Sequence, residues 1–212
     1  MRKLYLELKN LRLVFYVPPA VLLILVPFAV HATIRAVGEG PINTLFGTCG
    51  AISQLFVTGF AAWWPILVLK DYVNSPGKEL LFVHNSGGLL PRMMVLWVLY
   101  GLGTLLVFVY LTSLFGFVWF LFCLTVSQSL FMISLGYLLS LLLKNTFVPL
   151  LINFVYVPAF LFSMPYSPLG IFELSMYDTT ATLSRSFVVA VVAIAFFGWG
   201  YWLEKRLYRH SI

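Results

Sequence analysis

The chain has 212 residues, of which 61% are hydrophobic, 17% aromatic and only 9% charged, with a mean hydropathy of +0.98. A water-soluble domain of this length needs far more polar surface, so most side chains must face lipid or one another. A formal net charge of +6 would point to nucleic acid in a soluble chain, but basic loops beside a membrane explain it here, and no nucleic-acid partner is expected.

Residues 1–12 are charged and lead straight into an apolar stretch with no small-residue cleavage site, so no removable leader is expected. Leu4, Leu8, Leu11 and Phe15 share one helical face with Lys9 and Arg12 beside it, which predicts an interfacial helix over 1–14 lying in the headgroup plane. Leu6 and Leu13 fall on the opposite face. A basic leader that merely orients the first span explains the segment equally well.

A hydrocarbon core of about 30 Å takes roughly 20 apolar residues as helix. Six stretches qualify: 15–32, 45–69, 93–112, 115–143, 146–164 and 186–203. The fourth is long and is expected to tilt. Lipid offers no partner to exposed backbone amides, so the expected fold is all-α, a single polytopic transmembrane domain over 1–212. All but two of the 13 Lys and Arg residues then fall on one side, leaving Arg35 and Arg185 on the other. The positive-inside rule places both termini and the 70–92 loop in the cytoplasm, with the cell membrane as the location. Between the fifth and sixth spans, Pro158, Pro165, Pro168 and Gly170 are expected to break any continuous helix. The run "LGIFELSMY" is too apolar for an ordinary loop and predicts short re-entrant helices in the outer leaflet, or a hydrophobic loop packed on the bundle.

Chemistry is sparse. No G-x-x-x-x-G-K-[ST] run is present, and "PGKE" lacks the upstream glycine, the hydroxyl and the strand. His31, His84 and His210 lie in three separate segments, so no metal site is expected. Every Asp and Glu falls at a predicted span end or in a loop, which argues against intramembrane proteolysis and against a proton-driven carrier. Cys49 and Cys123 read as small apolar fillers. Neutral polar residues remain inside the spans: Gln54 and Thr58 on one face of the second, Ser127, Gln128, Ser129 and Ser134 in the fourth, Asn153 and Tyr156 in the fifth. Such groups mostly hydrogen-bond neighbouring helices, and some border a substrate path. Trp63, Trp64 and Trp202 read as interfacial anchors.

The longest polar interruption is "KDYVNSPGKELLFVHNSGGLLPR", residues 70–92. Pro76 and Gly77 suit the start of a short helix, Glu79 favours its dipole, and Leu80, Leu81 and Phe82 offer an apolar anchor that a groove on a partner would bury. Against the protein's own helix ends, the same residues would form an ordinary cytosolic turn.

Six spans, a basic amphipathic start, this loop and a broken fifth hairpin together resemble permease subunits of the type-2 ABC exporter family. "SPGKELLFVHNSGGLLPRM" is similar to that family's loop, and "SLGYLLSLLLKNTFVPLLINFVYVPAFLFS" to its fourth and fifth spans. The acidic run that usually precedes the loop glycine is reduced here to Lys70-Asp71, and no large outer domain is present. The resemblance implies a permease that pairs with a second permease chain, identical or paralogous, and has no catalytic site of its own. It implies a separate cytoplasmic ABC ATPase that holds ATP and Mg and docks on a coupling helix containing Pro76, Gly77, Lys78, Glu79, Leu80, Leu81 and Phe82. It further implies a substrate path along the first, second and fifth spans, bordered by Gln54, Thr58, Asn153 and Tyr156. The expected substrate is hydrophobic or amphipathic: a peptide, an antibiotic or a lipid. The competing readings are a substrate-capture subunit of an ABC-type importer, and a non-transport membrane enzyme or assembly factor.

Overall fold

The computed structural model describes residues 8–37, 42–74, 88–116, 118–163 and 179–209. All regular structure among these residues is helical. Five helices are long and apolar enough to cross a membrane: α1 (Arg12–Ala36), α2 (Gly47–Val73), α3 (Leu90–Phe115), α4 (Trp119–Leu143) and the apolar part, Thr180–Arg206, of α6. Helix α6 itself runs Thr179–Arg209. The chain is a helical protein of membrane-embedded type.

The fifth predicted span forms a 17-residue helix, α5 (Phe147–Ser163), shorter than the others. At 1.5 Å per residue it reaches roughly 25 Å, near the lower limit for crossing a bilayer. Pro158 lies inside α5 and does not end it, contrary to the expectation from sequence. In apolar surroundings neighbouring helices can satisfy the carbonyl that a proline leaves free, so an internal proline is tolerated. The expected outer helices fall on 164–178, outside the described residues.

The boundary between the third and fourth spans also moves. Phe115 belongs to α3, Gly116 turns the chain at φ 80°, and α4 begins at Trp119 with 25 residues. Only glycine takes that conformation without strain, and the uniformly apolar flanks gave hydropathy nothing to mark it. The two residues between the fourth and fifth predicted spans, Lys144 and Asn145, make a tight turn: Lys144 adopts φ 49°, and the Asn145 side chain accepts the Phe147 N–H at 2.7 Å.

At the start of α1 the chain bends at Arg12, whose φ is 49°. Residues 8–10 are helical before it, and Leu8, Leu11 and Phe15 pack against the core while Lys9, Arg12 and Leu13 are exposed. Of the face predicted for the leading segment, Leu8, Leu11 and Phe15 are partly buried, a corner at Arg12 sets residues 8–10 off from α1, and Leu4 lies outside the described residues. Trp63 and Trp64 of α2 fasten that corner. Their indole N–H groups donate to the carbonyls of Val14 at 3.2 Å and Phe15 at 2.9 Å, and the Phe15 ring stacks on Trp64. Both tryptophans thus join α2 to the start of α1.

Burial separates inner helices from outer ones. In α2 and α4, 67% of the most apolar window is buried, against 28% in α1 and α6 and 33% in α3. Helix α4 is the hub, with α2, α3, α5 and α6 packed around it. Its main partner is α6, whose buried stripe reads Thr182, Ser186, Val189, Ala193, Phe197, Gly200 and Glu204. The spacing of three and four residues keeps that stripe on one face. Its small members permit close approach: a Cβ at Gly200 would lie 2.4 Å from the Tyr137 ring.

Candidate functional site

Two polar clusters stand out in an apolar bundle. The first is midway along α2. A π turn, Gln54–Thr58, interrupts the α-helix there, and a second π turn, Val21–Leu25 in α1, packs against it. Such turns shift the register of backbone hydrogen bonds and frequently occur at functional sites. The Thr58 hydroxyl donates to the Gln54 carbonyl, and the Tyr100 hydroxyl of α3 donates to the Val57 carbonyl. The Gln128 amide of α4 donates to the Gln54 side-chain oxygen at 2.9 Å. Gln54, Thr58 and Gln128 are all buried. Of the expected path residues, Gln54 and Thr58 are thus joined in one network, and Gln128 completes it.

Asn153 and Tyr156 lie apart from that network, on α5. Asn153 is buried beside Gly136 of α4, and neither its amide nitrogen nor its amide oxygen has a hydrogen-bond partner among the described residues. Leaving a buried amide unmatched is costly, so natural proteins rarely do it. Tyr156 is half-buried with its ring against Phe131. The serines Ser127, Ser129 and Ser134 donate to carbonyls three or four residues earlier on their own helix. That accounts for their hydroxyls without any ligand.

The second cluster is at the end of the bundle that carries Lys70, Arg92, Lys144 and Lys205, where the 70–92 loop leaves and returns. The coupling residues expected from sequence, Pro76 to Phe82, lie outside the described residues, but both roots of the loop are visible. On the outgoing side the Asn74 amide donates to the Thr146 hydroxyl at 3.1 Å, tying the end of α2 to the start of α5. Arg92 donates to the Tyr72 hydroxyl, and its guanidinium carbon lies 5.3 Å from the centre of that ring.

On the returning side Glu204 of α6 is the organising residue. It is 1% exposed. One carboxyl oxygen accepts the Leu89 backbone N–H at 2.8 Å, and the other accepts the Tyr137 hydroxyl. Leu89 caps α3 with Pro91 in its first turn, so Glu204 satisfies one of the amides that the helix start leaves open and complements its dipole. Gly88 sits at φ 71°, and a Cβ there would come within 3.4 Å of the carboxyl oxygen. A single buried side chain therefore joins α3, α4 and α6 at the loop's root.

By sequence Glu204 falls, like every acid of the chain, at a predicted span end or in a loop. It is in fact buried within a continuous helix. The available signal was periodicity: the stripe Val189, Ala193, Phe197, Gly200 continues at helical spacing onto Glu204, while the adjacent Lys205 and Arg206 are exposed over the rings of Tyr201 and Trp202.

Among the described residues no group of histidines, cysteines or carboxylates could hold a metal ion. The fold and these clusters define a helical membrane protein with an internal polar network and a tied loop root. Compared with protein-family models, characterised proteins and solved structures, the chain shows no match to any.

Proposed function

We propose that the chain is the membrane permease subunit of an ATP-driven exporter, of the type-2 ABC kind that its sequence resembles. It spans the cell membrane six times with both termini in the cytoplasm, α5 being the short fifth span. It works as a dimer, and it is driven by a separate cytoplasmic ATPase seated on the 70–92 loop. The observation that carries this reading is the anchoring of the loop's roots. Asn74, Tyr72 and Arg92 tie them to α2, α3 and α5, and Glu204 ties α3 to α4 and α6. Roots fastened in this way would pass a push on the loop into the bundle.

The path is proposed along Gln54, Thr58, Asn153 and Tyr156. The unmatched amide of Asn153 supports a polar contact made to a substrate or in another conformation of the bundle. The substrate is hydrophobic or amphipathic.

Affinity purification of the tagged full-length chain from its native host tests the reading. A co-purifying protein with Walker motifs is the expected result. An ATPase held only through a separate, unlike membrane partner, as in an ABC-type importer, would overturn it, and so would a complex with no ATPase and a lipid- or peptide-processing activity in the chain alone.

A further inference from the structure

We propose that the corner between the leading segment and α1 is a binding site for one anionic phospholipid of the adjacent leaflet. A cavity of about 460 Å³ opens there, lined by Leu8, Lys9, Arg12, Leu13, Phe15 and Tyr16. That volume falls within the range of small-molecule sites. Its chemistry is divided. Lys9 and Arg12 are exposed cations with no acidic partner among the described residues, and the other four side chains are apolar or aromatic.

The site is built rather than incidental. Arg12 holds a left-handed φ of 49°, which a residue with a Cβ keeps only where its surroundings enforce it. Just beyond it, Trp63 and Trp64 hold the carbonyls of Val14 and Phe15. Tryptophans of this kind gather at headgroup depth, which sets the level of the cavity in the bilayer. A guanidinium and an ammonium at that level suit a phosphodiester whose headgroup carries no cation of its own. The walls formed by Leu13 and Tyr16, which are 83% and 63% exposed, suit the first methylenes of an acyl chain. A soluble phosphate would leave those walls uncovered, and a zwitterionic lipid would bring its own cation against Lys9 and Arg12. The occupant is therefore a bilayer phospholipid with net negative charge.

Native mass spectrometry of the full chain in mild detergent, titrated with phosphatidylglycerol and with phosphatidylcholine, tests this without reference to transport. Phosphatidylglycerol should bind as one retained copy, and phosphatidylcholine much more weakly. The Lys9→Gln/Arg12→Gln double variant should lose roughly ten- to thirtyfold in affinity, since each basic residue near an anionic surface contributes a factor of about five. Lys205→Gln/Arg206→Gln, equal in charge lost, should leave binding unchanged. Equal retention of the two lipids by the wild-type chain overturns the proposal even if the double variant fails to fold. So does an equal loss in both double variants, or displacement of the lipid by millimolar inorganic phosphate.

Discussion

Glu204 is an acid held away from water by three helices, and its worth depends on the two donors it satisfies. Glu204→Ala strands the Leu89 N–H and the Tyr137 hydroxyl together and opens space beside them. Leaving a buried donor unmatched costs about 1–3 kcal/mol for each group. A clear fall in thermal unfolding temperature in detergent is the expected outcome. Glu204→Gln should fall less, because an amide can accept from Leu89 while the tyrosine hydroxyl rotates to meet its NH₂ group. Tyr137→Phe, which removes one donor and leaves the carboxyl bound to Leu89, should also be milder than alanine at 204. Gln54 and Asn153 offer a second contrast. Gln54→Leu deprives Gln128 of its acceptor and should destabilise the fold. Asn153→Leu removes an amide that bonds nothing in the described structure, so it should leave unfolding unchanged or raise it while altering substrate-stimulated activity. If the two leucine variants unfold alike, the different roles assigned to these amides are wrong.

At the scale of helices, the contact of α6 on α4 rests on small residues, and two glycines two residues apart, on different faces, separate packing from propensity. Gly200→Ala would drive a methyl into the Tyr137 ring and should cost about 1–3 kcal/mol, while Gly198 faces open space and should accept alanine without loss. Thermal unfolding of the two variants, compared side by side, checks this. The helices themselves were legible in sequence because apolar length is what a bilayer demands, so all six predicted stretches fall on helices. Their ends were less legible. The run from Leu114 to Trp119 is apolar throughout, and only Gly116 marks the turn. Pro158, by contrast, suggested a break that the helix does not make. The π turns in α1 and α2 left no mark in the sequence, since they depend on the partners they meet: Leu22, for example, lies against Gly103 of α3. Gln54 and Thr58 were found as a polar pair, but their joining with Gln128 and Tyr100 depended on tertiary packing. Glu204 was hidden for the converse reason, since a charge beside Lys205 and Arg206 looks like a helix end until the stripe on α6 is followed down to it.

For the molecule as a whole, orientation and coupling are the proposals that most need testing. With Cys49 and Cys123 replaced by alanine, single cysteines at Ser75 and Ser211 should react with an impermeant reagent only from the cytoplasm, and those at Gly40 and Asp178 only from outside. External labelling of position 75 would remove the loop from any cytoplasmic ATPase. The apolar residues Leu80, Leu81 and Phe82 are the part of the loop assigned to the partner, and burying one such side chain is worth about 1.5–3 kcal/mol. The most direct measurement is therefore substrate-stimulated ATP hydrolysis by the co-purified complex in lipid vesicles, wild type against Leu81→Asp. The expected result is loss of stimulation and of the bound ATPase, with the Leu81→Asp permease still folded and inserted. Full ATPase binding together with full stimulation in Leu81→Asp would contradict the claim that this loop couples the chain to an ATP-driven partner.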